Sequence, residues 1–276
     1  MSIGFRNMLN ALAFSALVVL LALGSASADL KVSGGVFAIS AVPLQHVEHV
    51  ITVSNGDSDR PINLVANVAG FGQAPDGSDI VLDESTDNSP YTARPFLNLT
   101  PAAFSLDPGQ SQRITLEGDI PDGVGNGGRY ALVNIHSIPV SSVVNGSAPV
   151  SVSIDVPVLI TIYGSTIQTL GNISSMTLGA PSSTGARSVS ALLDNVGNYH
   201  YKALAKSILT SNATGEVLAY AATSLSSSTI IPTTSRLFNM QLKPGSALVP
   251  GEYVVSTTIV AADNTVLAKK DVKFTA

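Results

Sequence analysis

Residues 90–136 read PYTARPFLNLTPAAFSLDPGQSQRITLEGDIPDGVGNGGRYALVNIH. Phe96 and Leu97 open a short apolar run that Pro101 interrupts, and Phe104 and Leu106 lead into the turn Asp107-Pro108-Gly109. Proline presets φ for such a turn, and glycine accepts the backbone that follows. Arg113-Ile114-Thr115-Leu116-Glu117 then alternates, with Ile114 and Leu116 on one face and the polar residues on the other. That period of two predicts a half-buried strand. A glycine-rich loop, Asp122 to Gly128, delivers Tyr130, and Tyr130 to His136 predicts the next strand.

The same grammar occurs twice. Pro108, Arg113 and Tyr130 form the first copy, closed by Gly128-Arg129-Tyr130. Pro232, Arg236 and Tyr253 form the second, closed by Gly251-Glu252-Tyr253. Gly-x-Tyr at a strand start resembles the tyrosine corner of immunoglobulin-like sandwiches, where the ring packs and the hydroxyl bonds backbone. Two copies at nearly matched spacing predict two related domains in tandem, with these six residues in structural roles.

Outward from this stretch the chain keeps the same character. Leu30–Ile39, with a bend at Gly34-Gly35, Val47–Val53 and Ile62–Val68 read as strands, and Gln73–Asn88 as a solvated hairpin or loop. Val150 to Tyr163 places Val150, Val152, Ile154, Val156, Val158, Ile160 and Ile162 on one face. Pro157 falls inside it, which marks an edge strand or a bulge. Tyr199–Thr210 has helical composition at its start but reads as a strand, with Glu216–Ala222 as its hairpin partner. Ile167–Gly185 reads as loop-rich with weak strand signals, and Val189–Leu193, Arg236–Leu242, Tyr253–Ala261 and Val266–Phe274 read as strands. Short strands, frequent turn signals and no amphipathic helix predict an all-β protein of two tandem immunoglobulin-like β-sandwich domains, residues 29–165 and 166–276.

Residues 1–28 read as a secretory signal peptide. Arg6 is followed by the apolar and small-residue run Ala11–Leu23 and by Ala26-Ser27-Ala28, an A-x-A cleavage pattern. The run is too short for a spanning helix. The expected product starts at Asp29 and is periplasmic, cell-surface or extracellular, with no stable membrane insertion. The chain of 276 residues has a formal net charge of −5 and no cysteine. An acidic balance opposes nucleic acid, whose binders carry a basic footprint. The lack of cysteine removes disulfides and thiolate chemistry.

The order Arg-Pro-Phe-Leu, Thr-Pro, Leu-Asp-Pro-Gly-Gln, Arg-Ile and Ile-Pro between Arg94 and Pro121 resembles the N-terminal domain of periplasmic pilus chaperones, the PapD-like family. The second domain resembles the β-sandwiches of bacterial and archaeal cell-surface proteins. The first resemblance implies that the last strand of domain one offers alternating apolar side chains to an incomplete subunit, which gains a strand by backbone pairing. Val150, Val152, Ile154 and Val156 stand in that place. In that family a basic residue in the first strand and another in the last hold the subunit's terminal carboxylate. Val36–Leu44 and Val150–Tyr163 contain neither lysine nor arginine. The expected partners are protein subunits of surface structures, or further copies of this chain in a structural or adhesive component of the envelope or of a filament.

No enzyme signature appears. His46-Val47-Glu48-His49 is the only local histidine cluster, and on a strand His46 and Glu48 share a face that His49 leaves. Acidic loops at Asp57/Asp59, Asp76/Asp79 and Asp83/Glu84/Asp87 lack EF-hand spacing. No G-x-S-x-G elbow or phosphate loop occurs. No catalytic residue, metal or cofactor is expected. N-x-S/T sequons stand at Asn98, Asn145, Asn172 and Asn212.

Overall fold

A computed structural model describes residues 30–138 and 151–276. The expected signal peptide, the sequon at Asn145 and Val150 lie outside the described residues. In chain order the first sandwich uses β1 (Lys31–Ser33), β2 (Phe37–Ala41), β3 (His46–Ser54), β4 (Ile62–Gln73), β5 (Asp79–Leu82), β6 (Leu97–Thr100), β7 (Ala103–Leu106), β8 (Ser111–Asp119), β9 (Gly128–Ser137) and β10 (Ser153–Ile162). The second uses β11 (Gly171–Leu178), β12 (Arg187–Asn195), β13 (Ala203–Ser211), β14 (Val217–Ala222), β15 (Ser235–Leu242), β16 (Glu252–Ala261) and β17 (Val266–Thr275). The fold is all-β, two immunoglobulin-like sandwiches in tandem.

In the first, the sheet β1-β3-β8-β6 faces the sheet β2-β10-β9-β4-β5, with β7 also pairing β4. The core between them collects Ile51, Val53, Leu64, Ala66, Ile114, Leu116, Val133, Ile135, Val158 and Ile160. Alternation places these residues: Ile114 and Leu116 are buried in β8 while Arg113 and Glu117 are exposed. Strand β9 is buried on both faces. Ala131, Val133 and Ile135 enter the core, whereas Tyr130 and Leu132 join Phe71 and Ile231 in a separate cluster between the sandwiches. That is why Tyr130–Ile135 carries apolar side chains at both parities.

Gly34 controls the first crossing. Its φ is +77°, a region open to glycine at little cost. It turns the chain off β1, which pairs with β3, onto β2, which runs parallel to β10 in the opposite sheet. The bend read at Gly34-Gly35 is therefore a change of sheet.

The second sandwich stacks β11-β12-β15 on β14-β13-β16-β17. Tyr199–Thr210 is resolved in favour of strand from Ala203 onward: Ala203, Ala205 and Leu209 point into the core at a period of two, and a helix would scatter them. Lys270 on β17 donates to the carbonyls of Ile173 and Ser174 at 3.1 and 3.3 Å, stitching one edge of the sandwich to β11.

The repeated grammar falls on corresponding strands. β8 pairs with β3 and leads to β9; β15 pairs with β12 and leads to β16. The side chains do not repeat their roles. Tyr253 makes a local corner, its hydroxyl donating to the Val249 carbonyl at 2.6 Å and its ring stacked on Phe274. The hydroxyl of Tyr130 instead reaches the second sandwich, which corrects the reading of a second corner there. Replacing Tyr253 by phenylalanine removes one buried bond and strands a carbonyl. It is expected to cost about 1 kcal/mol, read as a lowered urea midpoint with an unchanged slope.

Candidate partner-binding edge

Strand β10 has two neighbours of unequal length. On one side β9 pairs with Ser153–Thr161. On the other, β2 pairs only with Val158–Ile162, starting at Phe37. The sheet change at Gly34 takes the preceding residues to the far sheet, so Ser153–Pro157 keeps an unpaired outer edge among the described residues.

The direction of the backbone groups on that edge follows from one bond. The Val152 carbonyl accepts the Ser137 amide at 2.9 Å, so Val152 faces β9. Hydrogen-bonding direction alternates along a strand. Ile154 and Val156 therefore also turn their backbone toward β9, and Ser153, Asp155 and Pro157 turn theirs outward. Proline without its N–H is tolerated there and would break a ladder one residue away.

Side chains alternate across the sheet. Val156 is 1% exposed and belongs to the core of its own sandwich. This corrects its place in the proposed partner row: a side chain already packed between two sheets is not offered to another protein. Val152 and Ile154 are half-buried, and Ile154 lies opposite Ile135. On the opposite face Asn134 donates to the Asp155 carboxylate at 2.6 Å and to the Ser153 hydroxyl at 2.9 Å. His136 Nδ1 donates to the Asn134 carbonyl oxygen at 2.8 Å. Neither β2 nor β10 carries a basic residue. Lys31 lies on β1, in the other sheet.

Of the residues given structural roles, Pro108 forms the turn between β7 and β8, and Arg113 lies exposed on β8. Pro232 is buried just before β15. Arg236 is buried on β15, its Nη2 donating to Ser228 and its charge near Asp79 and Asp76. Gly77 leaves the room its guanidinium occupies. The histidine pair is split as its register requires: His46 binds Asp119 at 2.8 Å on the outer face, while His49 stacks on Phe37 and donates to the Gly34 carbonyl. Among the described residues no group of three histidines or carboxylates gathers as a metal site.

Sequence reading missed how the two sandwiches are held. The segment expected as a solvated hairpin carries the contact. Gln73 Nε2 donates to the Thr229 carbonyl at 3.0 Å, and its Oε1 accepts the Ile231 amide at 3.1 Å. The Pro75 carbonyl accepts the Leu237 amide at 2.8 Å, a sheet-like bond to the edge of β15. At the other end of the junction the Tyr130 oxygen accepts the His200 amide at 3.0 Å and lies 3.1 Å from His200 Nδ1. Burial raises the Tyr130 phenol well above its usual range and lowers the His200 imidazole to about 4. Gly128 donates to the Asn198 carbonyl at 2.8 Å.

No protein-family model matches the chain, and no curated protein matches it. Among solved structures it is similar to pilus chaperones. A chain of the chaperone–tip adhesin complex of CFA/I fimbriae biogenesis aligns at 10% identity over 90% of this chain and 98% of its own, with a TM-score of 0.44. The Escherichia coli chaperone DraB aligns at 14% identity, covering 89% and 96%, with a TM-score of 0.40. A chain of the Salmonella enterica complex of SafA pilin with the SafB chaperone aligns at 11%, covering 92% and 99%, with a TM-score of 0.41.

Proposed function

We propose that this chain is a secreted, non-catalytic protein that binds partner proteins by β-strand addition along the first half of β10. The observation that carries this reading is the outer edge of Ser153–Pro157, which β2 leaves unpaired. An added strand satisfies the exposed N–H and C=O groups of Ser153 and Asp155, while half-buried Val152 and Ile154 supply apolar contact beside them. The partner is a subunit of a surface structure, and binding of this kind has a chaperone-like character. Pairing of the same edge between copies of this chain is the structural-component reading.

The test is Val152→Asp with Ile154→Asp in one chain. Capture of a stoichiometric partner from envelope extract by the mature, C-terminally tagged protein is expected to disappear. Ile154 is only half-buried, so the melting temperature is expected to fall by a few degrees. Unchanged capture sinks the proposal. Recovery of the protein alone, in assemblies of increasing size that the double substitution dissolves, favours the structural-component reading.

A further inference from the structure

We propose that the strand added to β10 carries a lysine or arginine opposite Asp155. This rests on the strand-addition reading and gives its partner a chemistry. The polar row beside the free edge has a fixed hydrogen-bond polarity. His136 gives its Nδ1 proton to Asn134, and Asn134 gives both amide protons onward, one to Asp155 and one to Ser153. Side-chain donors in this row are directed toward β10, and acceptor capacity accumulates at the Asp155 carboxylate. Among the described residues no cation makes an ion pair with it.

A strand lying along the free edge places its residue opposite Asp155 on the same face, with Cβ atoms about 4.5–5.5 Å apart. The Asp155 carboxylate, with no cation paired to it among the described residues, favours a cation in that position. Asp79 has its carboxyl raised above the usual range by burial and, to a smaller degree, by the negative charge of Asp155. Arg236 near Asp79 and Asp76 spends its Nη2 on Ser228. A partner carboxylate would meet Asp155 with no basic residue on β2 or β10 to offset it. The edge therefore selects against the acidic anchor group that a basic pair in these strands would have accepted.

Three synthetic peptides test this on the full mature chain. Each alternates valine with lysine, glutamine or glutamate, so that every register that sets valine beside Val152 and Ile154 places the chosen residue on the Asp155 face. Binding is followed by fluorescence anisotropy at low ionic strength, and the edge by hydrogen exchange at Ser153 and Asp155. The lysine peptide is expected to bind about tenfold more tightly than the glutamate peptide, with glutamine between them. Asp155→Asn is expected to reduce that ratio to about twofold, the remainder of the chain's overall negative charge, while the glutamine peptide binds as before. Equal binding of all three peptides, or a lysine preference unchanged in Asp155→Asn, overturns the inference and leaves strand addition standing. If no peptide binds and the two amides exchange as in the free protein, strand addition fails, and this inference with it.

Discussion

Lowering the pH from 7 to 4 is expected to cost this protein about 3 kcal/mol of stability through one residue, His200. Its imidazole is lowered by burial from 6.5 to about 4. The unfolded chain therefore takes up a proton near pH 6.5 that the folded chain refuses until near pH 4. The contribution is fully present above pH 6.5, is lost as pH falls between these values and changes no further below about 4. Burial explains the refusal. The Tyr130 oxygen accepts the His200 backbone amide and lies 3.1 Å from Nδ1, so the ring is held in the junction between the sandwiches and away from water. Tyr199, stacked on the ring at 4.2 Å, and Tyr130, edge-on at 5.6 Å, supply no negative charge in exchange. Urea unfolding of wild type and His200→Gln at pH 7 and pH 4 measures the effect. Wild type should lose about 3 kcal/mol more than the variant across that interval; equal losses would refute the assignment. The site joins the sandwiches, so the first transition in acid should be their separation, seen as hydrogen exchange at Gly128 and His200.

This junction shows what the sequence made legible and what it withheld. Turn residues and period-two alternation revealed most strands, because Pro108, Gly109 and the Ile114/Leu116 parity act within a few residues of themselves; β11 was missed inside Ile167–Gly185, where polar and glycine residues leave little alternation to read. The same local logic marked Pro157 as an edge or bulge position, and Pro157 stands where the unpaired first half of β10 meets the half that β2 pairs. That logic could not tell Tyr130 from Tyr253. Both follow Gly-x at a strand start, yet one hydroxyl closes a local corner on Val249 and the other crosses to His200, a residue 70 positions away. Likewise Arg113 and Arg236 share a pattern position, but only Arg236 is buried, because the turn around Gly77 covers that end of β15. Long-range partners decide these roles, and period and turn chemistry carry no record of them.

The candidate edge divides in the same way. Alternation put Val152, Ile154 and Val156 on one face; Ile154 and Val156 lie two residues apart on β10, opposite Ile135 and Val133, and Val152 precedes the strand. What pairs with the edge depends on where β2 starts, which Gly34 sets by sending the chain to the other sheet, whereas the face is covered by the opposite sheet, which buries Val156 and leaves Ile154 half-buried. The resulting boundary between the partner row and the core falls between Ile154 and Val156.

That boundary makes the second large prediction. Val156→Asp is expected to destabilise the protein by more than about 4 kcal/mol, enough to leave much of it unfolded. The side chain is 1% exposed and belongs to a core cluster made of aliphatic and aromatic residues, so a carboxylate there has neither water nor a cation. Ile154→Asp, two residues earlier on the same face, puts the same charge where one side is open. It should cost about 1–2 kcal/mol and remove partner capture. Val156→Ala supplies a readable version where the aspartate variant does not fold. It removes two buried methyl groups, is expected to cost about 2 kcal/mol, and should leave capture by the folded fraction intact. Urea midpoints for the three variants, set beside capture by each, separate packing from binding. If Ile154→Asp destabilises as much as Val156→Asp, Ile154 is packing for its own sandwich, and the outer half of β10 has too little apolar surface left to hold a partner.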